Sequence, residues 1–232
     1  MYILFDLDGT LTESGEGIIK CVQYALEKLG KPEPDPAKLQ YFIGPPLLQS
    51  FTQQLSCTKE EAEEAVRIYR ERYATIGIFE NRPYPGIPEM LEALTQAGLI
   101  LAVASSKPEH YVNIILKHFD IARYFTTVVG ATMGEARTDK KDVITEVLAR
   151  LNRQALGELW SMPAADRLPV TAADLLMVGD KSHDVEGART CGVNCVAVSY
   201  GYGTEEELQA AHPKAIVRSV EELQKLLLNQ VV

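Results

Sequence analysis

The sequence predicts a doubly wound α/β domain with an all-helical insert between its first and second strands. Short apolar runs recur through the second half of the chain, each followed by a stretch of helical period. One further run, "MYILF", stands alone at the N-terminus. Between it and the next strand, residues 15–80 show helical spacing and no convincing strand. Strands alternating with helices imply a parallel sheet covered on both faces. The expected division is therefore 1–14 and 81–232 as the α/β core, with 15–80 as the insert.

The elements follow in order. Met1–Phe5 is a short buried strand. Over residues 15–29, Ile18, Ile19, Val22, Leu26 and Leu29 line one helical face. The prolines of "GKPEPDP" then break the chain, and Gly44-Pro45-Pro46 opens another helix. "TKEE" at Thr58–Glu61 is a capping box for a helix running through about Tyr73. After "NRPYPGIPEM" come a helix at about 87–97 ending on Gly98, strand "LILAVASS", a helix near 108–118 and strand "TTVVG". A helix at 139–151 precedes strand "DLLMVGD", a helix at 182–190 and strand "CVAVSYG". A helix from Glu205, strand "AIVRS" and a helix near 220–228 close the chain. Residues 152–173, which hold Trp160, read as an elaborated connection without an assigned role.

Composition narrows the function. With 46% hydrophobic residues, the chain can bury a substantial core. A net charge of −9 and the lack of any Lys/Arg run argue against a nucleic-acid backbone or an anionic membrane as partner. No apolar stretch reaches the ~20 residues of a membrane span, and no signal peptide is expected. Cys21, Cys57, Cys191 and Cys195 form no CxxC pair and read as buried free thiols, which fits a cytoplasmic location. The histidines have no ligand spacing.

Ligands of open parallel sheets bind beyond the carboxyl ends of the strands. Asp6 and Asp8 follow the first strand, Ser105, Ser106 and Lys107 the second, Lys140 and Lys141 the loop after the third, and Asp180 and Asp184 the fourth. Asp6, Asp8 and Asp180 together make an oxygen-rich pocket for a hard cation such as Mg²⁺. Without a metal, each carboxylate at about 4 Å repels a unit negative charge by roughly 4 kcal/mol at an effective dielectric of 20. With one, the pocket holds phosphate oxygens, and lysine and serine contact the rest. The Gly9 and Thr10 amides are expected to assist from the start of a turn. The constellation is that of phosphoryl transfer.

"FDLDGTL" resembles the first motif of the haloacid-dehalogenase superfamily, "LAVASSK" its second, Lys140 its third and "VGDKSHD" its fourth, in the family's order. The resemblance implies a Rossmann-like core, a helical cap at 15–80 and phosphatase chemistry. It implies Asp6 as nucleophile, forming an aspartyl-phosphate, and Asp8 as general acid and base. Asp6, the main-chain carbonyl of Asp8 and Asp180 are implied as Mg²⁺ ligands, with Asp184 supporting through water or Lys140. Ser105 is implied to bind the phosphoryl group; the family often has Thr-Asn where Ser105-Ser106 stands here. "TDKKDVI" offers Lys140 and Lys141 for the third motif; Lys140, which precedes Val143 by the spacing found in similar sequences, is the one the resemblance favours.

Asp8 suits an oxygen leaving group that must be protonated, so phosphate chemistry is expected rather than dehalogenation. "VGDKSHDVEGA" and "IGPPL" are similar to phosphoglycolate-phosphatase-like and 5′-nucleotidase-like members. The expected partner is a small phosphorylated metabolite, and the expected assembly a monomer or homodimer. A phosphomutase of the same superfamily and a phospho-accepting receiver domain are the alternatives. Tyr41, Phe42 and Gly44-Pro45-Pro46 either pack the insert or line the substrate pocket.

Overall fold

A computed structural model of the chain describes residues 1–55, 57–134, 137–158 and 169–229. Six parallel strands form the main sheet in the order β5-β4-β1-β6-β7-β8. They are β1 (Tyr2–Phe5), β4 (Ile100–Pro108), β5 (Phe125–Ala131), β6 (Leu175–Gly179), β7 (Asn194–Val198) and β8 (Ala215–Val217). The chain moves to one side of β1 through β4 and β5, then to the other through β6, β7 and β8. The carboxyl end of β1 is thus the switch point where such sheets open a crevice.

Strand alternation divides the core into two faces. Ile3 and Phe5 point into one cluster with α4 (Ile87–Gln96), α5 (Glu109–His118) and α9 (Val220–Leu228). Leu4 points the other way, into α6 (Lys140–Glu158), α7 (Ser182–Thr190) and α8 (Glu205–Ala211). Burial on both faces explains why these strands read as unbroken apolar runs. Gly98 ends the α4 turn at φ +81, where other residues are strained.

Between β1 and α4 lie α1 (Gly15–Lys28), α2 (Leu47–Gln54), α3 (Lys59–Tyr73) and short 3₁₀ turns. The Thr58–Glu61 capping box forms: the Thr58 hydroxyl accepts from Glu61 N–H at 3.2 Å, and Glu61 accepts from Thr58 N–H at 3.0 Å. The apolar faces of α1 and α3 join the same cluster as Ile3 and Phe5.

Two features differ from the sequence reading. Two-residue strands β2 (Thr12–Glu13) and β3 (Arg82–Pro83) pair antiparallel, with Thr12 opposite Pro83 and Glu13 opposite Arg82. Strands this short carry no alternation, and Pro83 argues against one. Second, α6 runs on to Glu158, seven residues beyond 151, into the expected connection; residues 159–168 of that connection lie outside the described residues. Among the described cysteines, Cys21, Cys57 and Cys195 are buried free thiols, whereas Cys191 is half-buried. No helix among the described residues is long and apolar enough to cross a membrane.

Candidate active site

The end of β1 delivers Asp6 to the middle of the crevice, where its N–H donates to Val178 O of β6 at 2.9 Å. Asp180 follows β6, and Asp184 lies in the first turn of α7. Two glycines make the approach possible. A Cβ on Gly179 would stand 2.3 Å from Asp184 Cγ, and one on Gly9, itself at φ +80, would stand 2.0 Å from Asp180 Oδ2.

Asp6, Asp180 and Asp184 are all buried, and each offers a carboxylate oxygen within 4.8 Å of the others. Burial raises the Asp6 carboxyl above its ordinary range. It raises Asp180 well above that range, and the charges of Asp184 and Asp6 add to the effect. Burial also works against ionised Asp184, but the Lys140 and His183 charges and the bonds it accepts outweigh this and hold its carboxyl low. Three carboxylates so close cannot all stay ionised without compensating positive charge.

Lys140, the first residue of α6, supplies part of it. Its Nζ lies 2.7 Å from Asp6 Oδ1 and 2.8 Å from Asp184 Oδ1, and donates to Ala104 O at 2.9 Å. Burial opposes its charge, yet Asp184 and Asp6 outweigh burial and raise its hold on the proton. Lys141 is exposed, so Lys140 is the lysine that meets the acids. One ammonium against three carboxylates leaves surplus negative charge on an all-oxygen donor set, which fits a hard divalent cation. Lys140→Met should therefore destabilise the metal-free fold by about 3 kcal/mol or more in urea unfolding, with added Mg²⁺ recovering part of the loss. Lys141→Met should stay within about 0.5 kcal/mol. Equal effects at the two positions would contradict this charge balance.

The Asp8 carboxylate stands outside that trio. Its Oδ2 lies 2.9 Å from Lys107 Nζ, and Lys107 also donates to the Tyr73 hydroxyl at 2.8 Å. Asp8 Oδ1 is buried and has no hydrogen-bond partner among the described residues. Ser105 is buried beside them; its Oγ accepts from Lys107 N–H at 3.3 Å, leaving the hydroxyl proton to donate. β4 loses register with β5 between Ala104 and Pro108, an irregularity of the kind that re-aims side chains at a sheet rim. Ser106 is half-buried there and lines both cavities described below.

Gly9 and Thr10 depart from expectation. Gly9 N–H donates to Thr12 O at 2.8 Å and Thr10 N–H to Leu7 O at 3.3 Å, so neither amide is free for a phosphate. The tight turn that places Asp8 consumes both donors. Thr10 instead directs its hydroxyl toward Asp180 Oδ1 at 3.5 Å.

A cavity of about 500 Å³ opens beside Asp8, with Phe42, Tyr69 and Tyr73 from the helical segment facing Lys107 and Tyr111 from the sheet side. A second, of about 470 Å³, holds Lys140, Lys181 and His183. Pro45 and Pro46 border both, Gly44 the first and Tyr41 the second, so this stretch lines the cavities. Phe42 does so while buried in the core cluster.

Tyr73 and Tyr202 carry no signal in the sequence that marks them as site residues. Lys107 stands in the strand-end constellation, but the sequence does not show its partners. Tyr202 acts through its main-chain N–H, which donates to Asp180 Oδ2 at 2.7 Å, and its hydroxyl accepts from Gly15 N–H at 2.6 Å.

Residues 3–198 match the family model described as haloacid dehalogenase-like hydrolase. The chain is 43% identical over 225 residues to a 5′-nucleotidase of Pseudomonas aeruginosa, covering 97% of this chain and 94% of that one. It is 31% identical over 229 residues to a phosphoglycolate phosphatase of Vibrio parahaemolyticus, covering 95% and 93%. It is also 35% identical over 227 residues to the tyrosine-protein kinase PtkA of Mycobacterium tuberculosis, covering 97% and 72%. Among solved structures, that of a predicted phosphatase from Clostridium acetobutylicum superposes with a TM-score of 0.89 at 38% identity, over 98% of both chains.

Proposed function

The chain belongs to the haloacid dehalogenase-like hydrolases, and from that premise we propose that it is a divalent-metal-dependent phosphatase for small phosphomonoesters, working through an aspartyl-phosphate. The observation that carries this reading is Asp6 at the central strand end, paired to Lys140 and flanked by the buried carboxylates of Asp180 and Asp184.

In this mechanism an Asp6 carboxylate oxygen attacks phosphorus, and the ester oxygen departs with a proton from Asp8. Asp8 then takes a proton from water as its oxygen attacks the acyl phosphate, releasing phosphate and restoring Asp6. Lys140 keeps Asp6 oriented and offsets charge on the phosphoryl oxygens, and the Ser105 hydroxyl and Ser106 contact the remainder. Asp6, Asp180 and the main-chain carbonyl of Asp8 would hold Mg²⁺, with Asp184 in support; bound there, it would neutralise phosphoryl charge and so admit an anion to an acidic pocket.

We assign 1–14 and 81–232 to the catalytic core and 15–80 to a cap that chooses the leaving group. The cavity beside Asp8 favours a substantial leaving group over a two-carbon acid. At about 500 Å³, with Phe42, Tyr69, Tyr73 and Tyr111 on its walls, it suits an aromatic base. A nucleoside 5′-monophosphate is therefore the preferred substrate class over phosphoglycolate. A cytoplasmic setting accords with the free thiols.

The test is phosphate release with Mg²⁺ from nucleoside 5′-monophosphates, phosphoglycolate, a hexose phosphate and a phosphotyrosine peptide. A kcat/KM for the best nucleotide at least about tenfold above the others, some 1.4 kcal/mol of transition-state discrimination, is expected. Faster phosphoglycolate hydrolysis overturns the choice of substrate but not the chemistry. Hexose phosphate isomerised without phosphate release indicates a mutase, and a single turnover indicates a receiver. ATP-dependent labelling of a tyrosine peptide, with no ester hydrolysed, would replace the phosphatase reading by that of the kinase relative.

A further inference from the structure

One buried cluster near the acid trio lies outside the Asp6–Lys140–Asp184 ion pairs. Lys107, the penultimate residue of β4, is buried and lies 2.9 Å from Asp8 Oδ2. It donates at 2.8 Å to the hydroxyl of Tyr73, the last residue of α3, 34 positions earlier in the chain. Nζ also sits 4.8 Å from the centroid of the Tyr73 ring. That ring is fixed on two sides, stacked on Tyr69 at 5.2 Å and met edge-on by Tyr111 at 5.3 Å.

We propose that Lys107 and Tyr73 are positioning residues for Asp8. Lys107 occupies Oδ2, Tyr73 holds Lys107 in place from the helical segment, and Oδ1 is left as the oxygen that exchanges a proton with the leaving group. The inference rests on the phosphatase reading.

The geometry separates this role from a plain ion pair. A buried pair that existed for stability would satisfy both carboxylate oxygens, because a buried acceptor without a partner is costly. Here Oδ1 has none among the described residues, in a residue that lines the cavity. A carboxylate free to rotate about its Cβ–Cγ bond would present either oxygen and bond Lys107 with whichever was nearer. A lysine held by a clamped tyrosine removes that freedom, so the remaining oxygen has one direction. Because Tyr73 belongs to α3, the direction exists when α3 is seated against β4. Asp8 then becomes ready for proton transfer in the state that has the cavity assembled over it.

The leaving group supplies the test. An alkyl phosphate needs a proton on its departing oxygen, whereas p-nitrophenolate is a weak base and leaves without one. In kcat/KM, which reports steps through departure of the alcohol, mispositioning Asp8 should harm the first and spare the second. The whole chain with Mg²⁺ is assayed on p-nitrobenzyl phosphate and on p-nitrophenyl phosphate, which present the same ring to the cavity walls and differ in whether the departing oxygen needs a proton. Lys107→Ala is expected to lose on the order of 10²-fold in kcat/KM on the alkyl ester and less than about fivefold on the aryl ester. Tyr73→Phe, which deletes one hydroxyl and keeps the ring packing, is expected to show the same selectivity at about tenfold against twofold. If Lys107→Ala does not fold, Tyr73→Phe decides alone. Equal losses on both esters, or none in Tyr73→Phe, overturn the positioning role and leave the phosphatase intact. Failure of the unaltered protein to hydrolyse either ester overturns the parent reading and this one with it.

Discussion

Asp6→Asn should abolish steady-state hydrolysis, lowering kcat on the order of 10⁴-fold or more, while the protein stays folded. The amide cannot attack phosphorus, and no neighbouring carboxylate replaces it: Asp180 and Asp184 flank the site from β6 and α7, and Asp8 is held by Lys107. Loss of a buried ion-pair partner usually costs several kcal/mol. Here Lys140 keeps Asp184 at 2.8 Å and Ala104 O at 2.9 Å, and the substitution removes one of three crowded carboxylates. The Tm of the metal-free variant should therefore equal or exceed that of the parent. Rapid acid-quench assays should find no phosphoenzyme of the hydroxylamine-sensitive kind that an aspartyl-phosphate gives. Substantial turnover in deamidation-free Asp6→Asn protein would end the covalent mechanism; a collapsed Tm would show that the charge balance around Lys140 is misjudged.

Removing divalent metal should lower activity by roughly three orders of magnitude, about 4 kcal/mol, with full recovery on adding Mg²⁺. Asp6, Asp180 and Asp184 outnumber Lys140, so a phosphate dianion entering the metal-free pocket meets net repulsion. The same surplus predicts a thermal signature that needs no substrate. Free Mg²⁺ at a hundredfold excess over Kd adds about 2.7 kcal/mol to stability, or roughly 5–10 °C in Tm for a chain of this length. Asp180→Asn should shrink both effects together. Ca²⁺ should stabilise but support turnover poorly, since its looser shell does not enforce octahedral geometry. Hydrolysis undiminished in excess chelator, or a Tm indifferent to Mg²⁺, would count against a metal site here.

Most of the framework was legible because buried parallel strands announce themselves as apolar runs, and whatever follows a run lands at one rim of the sheet. That reasoning alone collects Asp6, Asp180 and Lys140 from three distant parts of the chain. It leaves Lys140 and Lys141 side by side, and the preference for Lys140 comes from its spacing to Val143 in similar sequences; in the structure Lys140 is buried among the acids and Lys141 exposed. What it could not supply were partners. The Gly9 and Thr10 amides look available in the sequence, but a donor's availability depends on which carbonyl the turn brings near, here Thr12 O and Leu7 O. The Lys107–Tyr73 bond depends on how α3 seats against β4, a packing relation with no local signature. Pairing of β2 with β3 was hidden for a different reason: two residues are too few to show a period, and a proline in one of them points away from a strand.

That small ribbon has a consequence for how such a protein can diversify. The chain leaves the sheet at Glu13 and returns at Arg82, and these two residues lie opposite one another in the pairing, joined by an exposed ion pair. Everything between them is borne on a single stem whose two sides are in contact. Paired backbone positions stand about 5 Å apart, a gap that a two-residue turn closes. A graft therefore has one cross-section to match instead of two independent ends. Replacement of the intervening helices can proceed without displacing Asp6, Asp180 and Asp184 on the sheet rim, whereas Asp8 keeps one tie to those helices through Lys107 and Tyr73. Inheritance can exchange the helical segment as one unit, with the ribbon as the splice point.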